Sequence, residues 1–338
     1  MMHYLCVLHI TNECNLRCKH CYASAGKKLE NELSLREIKK LIDDLYDLGT
    51  QYIILSGGEP LIHKGFFNIL KYCNNKKIHT MITSNGTLLN NKTVRKLKAF
   101  NYLDSIQISI DSHLPKRHNE FRGTKNAFEL AIKGLKACKE NGLKVSIMTT
   151  LSKYNIDNMG KMLEFFASLG VDGIGFERFV PEGRGKSIPQ YTLSALELKK
   201  GLSKMVRFRK NNPKIKIWSN DPLLQFVDPD LKKLTEKYKG NNDVCGGCSA
   251  GITGTCITPD GYVTPCTRLY KKVANLRKDS LKKIWEKNEF LNLLRKRKGN
   301  LKGKCGKCEF INICGGCRAA AYHAFGDIYA EDPSCWLK

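Results

Sequence analysis

The sequence predicts an α/β protein: a parallel sheet or partial barrel covered by helices, followed by a cysteine-rich domain. Two observations carry the first part. Up to about residue 180, apolar strand-like runs alternate with segments of helical period, and each connection is long enough for a crossover helix. The third observation concerns the other end. From Cys245 to Cys335, nine cysteines fall within 91 residues that are glycine-rich and weakly periodic.

The strands are expected at residues 4–10, 52–56, 79–84, 105–110, 144–150 and 173–179. Their near-continuous apolar character suits strands buried on both faces. Helices are expected at 34–48, 65–74, 91–100, 126–141 and 155–169. Ser34 with Glu37 is a capping box, and Gly49, Gly142 and Gly170 stand where helices should stop. Six strands joined by five helices make parallel βαβ units, whose chemistry belongs at the carboxyl ends of the strands. The pattern changes after Pro181-Glu182-Gly183-Arg184-Gly185. The expected organisation is 1–185 for the sheet, 186–243 as a connecting region with a helix at 194–209, and 244–338 as the cysteine-rich domain. A segment so poor in apolar pattern relies on metal cross-links for its fold.

Composition excludes several classes. With 338 residues, 42% hydrophobic and 26% charged, the chain is a globular one rather than a disordered or collagenous one. No apolar run approaches a membrane span, so no membrane partner is expected. The start, Met1-Met2-His3-Tyr4-Leu5-Cys6, lacks the organisation of a secretory signal, and a cytoplasmic location is expected. In that compartment thiols stay reduced, so 15 clustered cysteines read as metal ligands rather than disulfides. The net charge of +25 raises nucleic acid as a partner. The densest basic run, 282–304, however carries Ile284, Trp285, Phe290, Leu291, Leu293 and Leu294 at near-helical spacing, as an amphipathic surface helix would. Nucleic acid is therefore not the expected partner.

Cys14-Asn-Leu-Arg-Cys18-Lys-His-Cys21 follows the first strand. Three thiolates can hold three irons of a [4Fe–4S] cube and leave the fourth open. A zinc ion would want a fourth ligand, for which His20 is the local candidate. This Cys-x3-Cys-x2-Cys, followed by Ser56-Gly57-Gly58-Glu59-Pro60 after the second strand, resembles the radical S-adenosylmethionine (SAM) superfamily. The resemblance implies a partial (β/α)6 barrel, with SAM chelating the open iron of a cluster on Cys14, Cys18 and Cys21. It also implies that Gly57, Gly58 and Glu59 hold the methionine amino group and that His20 lies near the adenine. Ser84, Asn85 and Ser109 are expected to touch SAM. Asp111 is the candidate for orienting substrate or moving a proton, a catalytic role.

The second set comprises Cys256 and Cys266 around an Asp260-Gly261 hairpin turn, then Cys305-x2-Cys308-x5-Cys314-x2-Cys317 and Cys335, with Cys245 and Cys248 ahead of them. These thiols suffice for two clusters or two zinc ions. The pattern resembles the SPASM extension of radical SAM enzymes, with Gly261 at its motif position; Cys314-Gly-Gly-Cys317 is one residue shorter than the commonest spacing. The resemblance implies an iron–sulfur SPASM domain with one or two auxiliary clusters. Cys305, Cys308, Cys314 and Cys335 would hold the outer one. Cys256, Cys266 and Cys317 would hold the inner, with Cys248 the chosen fourth ligand. Cys6, Cys73 and Cys138 are expected to be packed thiols.

The implied chemistry is reductive cleavage of SAM to a 5′-deoxyadenosyl radical that takes a hydrogen from substrate. It requires a one-electron donor such as ferredoxin or flavodoxin. The segments Cys314–Tyr322, Gly326–Cys335 and Glu177–Arg184 resemble maturases acting on cofactor precursors, of tetrapyrrole or tungsten/molybdenum type. With 13 residues before Cys14, no leader-peptide-binding domain is expected there, which favours a cofactor precursor over a peptide substrate. Arg178 and Arg184 are candidates for a substrate carboxylate or phosphate. The rivals are a peptide- or protein-modifying enzyme of the same kind, a nonenzymatic metal-binding regulator, and a zinc-containing nucleic-acid binder.

Overall fold

The computed structural model describes residues 3–240 and 243–337; Met1 and Met2 of the stretch read for a signal lie outside them. The six expected strands are β1 (Leu5–His9), β2 (Tyr52–Ser56), β3 (His79–Ser84), β4 (Leu103–Ser109), β5 (Val145–Leu151) and β6 (Gly173–Arg178). The interleaved helices are α1 (Leu35–Asp47), α2 (Phe66–Asn75), α3 (Asn91–Leu97), α4 (Pro115–Arg122), α5 (Ala127–Glu140) and α6 (Met159–Ser168). α1 turns its apolar stripe inward: Ile38, Leu41, Ile42 and Leu45 are all buried, and the Ser34–Glu37 capping box starts it.

The connecting region adds α7 (Ala195–Asn211), β7 (Lys216–Ser219) and α8 (Pro229–Lys237). β1 through β7 run parallel in sequence order. The cysteine-rich segment then contributes β8 (Gly254–Ile257), β9 (Tyr262–Thr264), β10 (Ala274–Asn275), α9 (Leu281–Lys287), α10 (Glu289–Arg295), α11 (Gly303–Gly306) and α12 (Arg318–Phe325). β8 pairs parallel with the free edge of β1, Cys256 opposite Val7, so one ten-stranded sheet runs through the whole chain. The β8–β9 hairpin turns at Asp260-Gly261, where Gly261 has φ +80°.

Two differences from the sequence reading matter. α4 was not expected, because its residues are polar; only His118, Phe121 and Arg122 of it are buried. The basic run read as one amphipathic helix is two. Asn288 is extended at φ −64°, ψ 122°, ends α9, and caps α10 by accepting from Leu291 N at 3.1 Å. The apolar residues Leu281, Ile284, Trp285, Leu291 and Leu294 are buried, and the lysines face outward.

Candidate active site

At the carboxyl ends of β1 to β6 lies a cavity with about 1310 Å³ of empty space including its mouth. Cys14, Cys18 and Cys21 line it, as do Gly57, Gly58, Ser84, Asn85 and Ser109 from the following strand ends. The loop after β2 is bonded to the cysteine loop through its backbone, Gly58 N to Thr11 O and Glu59 N to Glu13 O, both at 2.8 Å. This contact needs glycine. A Cβ on Gly57 would stand 2.4 Å from Thr11 O, and one on Gly58 2.2 Å from Glu13 O.

Around the thiols the donors face sulfur. Leu16 N is 3.4 Å from Cys14 Sγ, Asn85 Nδ2 4.0 Å from the same atom, and Arg122 Nη1 3.8 Å from Cys18 Sγ. Burial pushes the Cys18 thiol up to about 12, against the pull of Arg122. Such a sulfur carries negative charge only with a cation bound to it.

Glu59 is fully buried and does not line the cavity. It accepts from Ser84 Oγ at 2.9 Å, Asn85 N at 2.8 Å and Leu61 N at 3.3 Å. Burial nevertheless pushes its carboxyl up to about 7. From behind the cavity wall it joins the loops after β2 and β3.

Asp111 also stands behind the cavity wall. Its Oδ2 accepts from Arg122 Nε at 2.7 Å and its Oδ1 from Thr150 N at 2.9 Å. It is fully buried and does not line the cavity, so it is a positioning residue for Arg122. His20 does line the cavity. Its ring stacks on Phe121 at 4.1 Å, Nε2 is 3.6 Å from Asp111 Oδ2, and Nδ1 is buried without a partner. Burial lowers it to about 4, leaving a neutral imidazole. The last turn of α4 supplies both Phe121 and Arg122, and Lys19 N donates to Phe121 O at 2.9 Å, tying that turn to the cysteine loop.

The two arginines proposed for substrate are spoken for. Arg178 forks onto Asp221, through Nε and through Nη2 at 2.6 Å, and reaches Asp332 Oδ1 through Nη1 at 2.8 Å. It fastens the end of β6 to the connecting region and the C-terminal segment. Arg184 donates to Cys18 O at 2.8 Å and Ala25 O at 2.7 Å, strapping the cysteine loop. Sequence could not reveal either, because the partners lie up to 166 positions away.

Among the second set, Cys305, Cys308, Cys314 and Cys335 line one small cavity. Backbone N–H groups reach three of these sulfurs at 3.4 Å: Asp332 N to Cys305, Phe310 N to Cys308 and Gly316 N to Cys314. The other four are brought together in pairs. Cys266 follows the β8–β9 hairpin close enough to help raise the Cys256 thiol, and Cys248 stands close enough to help raise that of Cys317, burial being the larger cause in both. Cys245 is exposed, and Cys6, Cys73 and Cys138 pack in the core.

Residues that the sequence reading missed fill the space between the two sets. His9 Nε2 is 3.1 Å from Tyr22 Oη and 3.7 Å from Cys256 Sγ, and its Nδ1 is 3.3 Å from Tyr270 Oη. Arg268, two residues past Cys266, lines the large cavity on its cysteine-rich side. Neither carried a motif that would single it out.

Buried thiols with donors aimed at sulfur, a glycine cradle that a Cβ would fill, and an orphaned His20 Nδ1 in the wall are what a cluster with an organic ligand requires. Fold and site define a metal-cluster enzyme built on the carboxyl edge of a parallel sheet. The sequence pattern of the radical SAM superfamily matches residues 8–166, and that of the SPASM iron–sulfur cluster-binding domain residues 245–309. The AdoMet-dependent heme synthase of Methanosarcina barkeri is 33% identical over 96% of this chain and 94% of its own. The Fe-coproporphyrin III synthase of the same organism is 31% identical over 98% and 87%. The crystal structure of Streptococcus suis SuiB bound to S-adenosylmethionine superposes with a TM-score of 0.80 over 99% of this chain and 78% of that one, at 21% identity, a likeness of fold.

The chain belongs to the radical SAM superfamily and carries a SPASM domain. It is an enzyme whose cofactors are SAM and iron–sulfur clusters. Among the described residues no helix is long and apolar enough to cross a membrane.

Proposed function

We propose that this enzyme is a cofactor maturase that acts on a tetrapyrrole precursor. When bound, SAM and its cluster supply a 5′-deoxyadenosyl radical that takes a hydrogen from the substrate. The observation that carries the reading is the cavity at the strand ends, with the Cys14/Cys18/Cys21 loop on one wall and the cysteine-rich segment on the other. The likeness to heme and Fe-coproporphyrin III synthases over nearly the whole chain supports a tetrapyrrole.

In this reading Cys14, Cys18 and Cys21 hold the SAM cluster, Gly57 and Gly58 receive the methionine end, and Ser84, Asn85 and Ser109 offer polar contacts to SAM. The neutral His20 ring, backed by Phe121, presents its other side to the adenine. Cys305, Cys308, Cys314 and Cys335 hold the outer auxiliary cluster, and Cys248, Cys256, Cys266 and Cys317 the inner. Walls of apolar and internally bonded side chains exclude water from the reacting centre. A donor of the ferredoxin or flavodoxin type delivers the electron.

The test is anaerobic. Reconstituted enzyme with dithionite, SAM and iron-coproporphyrin III should form 5′-deoxyadenosine together with a porphyrin of changed mass. The Cys14→Ala/Cys18→Ala/Cys21→Ala variant should form neither. SAM cleavage without a change in any tetrapyrrole, joined to modification of a co-expressed peptide, would move the enzyme to the peptide-modifying class.

A further inference from the structure

Four arginines line the large cavity: Arg122, Arg178, Arg184 and Arg268. The first three are held by protein acceptors: Arg122 by Asp111, Arg178 by Asp221 and Asp332, Arg184 by the carbonyls of Cys18 and Ala25. Arg268 is different. Its Nε and Nη1 are buried and have no hydrogen-bond partner. The nearest carboxylate, Glu177, stands 3.8 Å from Nε, beyond hydrogen-bond length. Glu177 is itself turned to Asn220, whose Nδ2 donates to it at 2.9 Å.

Burying guanidinium donors without an acceptor is costly, and a ligand that brings one recovers the cost. The side chain is 15% exposed, and it is part of the cavity wall opposite the SAM loops, on the segment that follows Cys266. We propose that Arg268 anchors the substrate by one of its carboxylates, an oxygen of which is taken up by the free Nη1 hydrogens. A monoanionic carboxylate suits a single guanidinium that already has Glu177 beside it; a phosphate dianion would call for more cationic partners. The inference rests on the tetrapyrrole reading, since porphyrin precursors carry propionate side chains, and it adds the group by which the precursor is oriented.

Two other anions compete for the same donors: the carboxylate of SAM, and the sulfur of Cys266, to which Arg268 donates through its backbone N at 3.4 Å. The experiment separates them. Reconstituted Arg268→Gln and Arg268→Lys enzymes are compared with the wild type for iron per chain, for SAM affinity by equilibrium dialysis, and for affinity to iron-coproporphyrin III and its tetramethyl ester. Loss of a charge-assisted bond should weaken porphyrin binding by roughly 10- to 100-fold in the glutamine variant and less in the lysine variant. Iron content and SAM affinity should hold. The ester should bind the wild type no better than the free acid binds Arg268→Gln.

Unchanged porphyrin affinity overturns the proposal. So does a loss confined to SAM affinity, or to iron, which would give Arg268 to the cofactor or to the cluster. A wild type that does not bind the porphyrin at all refutes the tetrapyrrole reading instead, and the anchor is then judged by a probe independent of it. Succinate should slow modification of Arg268 by phenylglyoxal, read by peptide mass spectrometry. Absence of that protection would overturn the anchor as well.

Discussion

The Arg122 guanidinium stands 3.8 Å from the Cys18 sulfur, in a place closed to solvent. With Cys18 a cluster ligand as proposed, a fixed positive charge so close to its sulfur stabilises the reduced, more negative state. Replacing it by methionine should shift the cluster potential negative, on the order of 50 mV. Asp111→Asn leaves Arg122 uncompensated and should shift the potential the other way. EPR-monitored redox titration of the two variants decides it; shifts of the same sign would contradict the placement of Asp111 behind Arg122.

Gly58→Ala should separate the two loops that form the cofactor wall. Its Cβ would meet Glu13 O at 2.2 Å, and backbone cannot yield as a side-chain tip does. A cost of about 1–3 kcal/mol in stability is expected, with SAM affinity lowered at least tenfold. Gly299→Ala is the control, because no atom lies within 4 Å of its Cβ and the strain of its positive φ is all that remains. Equal SAM affinities in the two variants would show that the cradle does not depend on that contact.

Arg178→Met should act on stability. It strands Asp221 and Asp332, both fully buried at their side chains. Removing one member of such a group costs about 3–5 kcal/mol. The expected result is a lower unfolding midpoint, with porphyrin affinity per folded molecule retained; a normal midpoint with lost affinity would return Arg178 to the substrate.

Acid should unfold the protein well before its carboxylates titrate. Burial lowers His3, His9 and His20 to about 4 and His118 to about 3. Below about pH 6.5 the unfolded chain takes up protons at these four that the folded chain refuses, so stability falls with pH. Glu59 opposes this: raised to about 7, it keeps a proton in the folded state that the unfolded chain releases above about 4.5. Near pH 5.5 the net of about three protons gives a loss of roughly 4 kcal/mol per pH unit. Urea midpoints between pH 7 and 5.5 test the slope, and His118→Gln should flatten it by about a third.

Much of the sheet was legible because its strands are apolar and its crossover helices amphipathic, and those patterns are local. The same reasoning placed the thiol loop and Gly57-Gly58, where function is written in spacing. It failed at α4, whose buried residues include His118 and Arg122 and so leave no apolar stripe to detect. Asn288 was passed over as a break because the apolar spacing runs on across it, from Ile284 and Trp285 to Leu291 and Leu294. The arginines show the deepest limit. Arg178 and Arg184 stood out by charge, yet what distinguishes them from Arg268 is the presence or lack of an acceptor contributed from elsewhere in the chain.

The parallel pairing of β8 with β1 has a mechanical consequence. Val7 lies opposite Cys256, and the same strand β1 leads on to Cys14. The two thiol-bearing halves therefore share a common beam, and neither can swing away without tearing that seam of backbone hydrogen bonds.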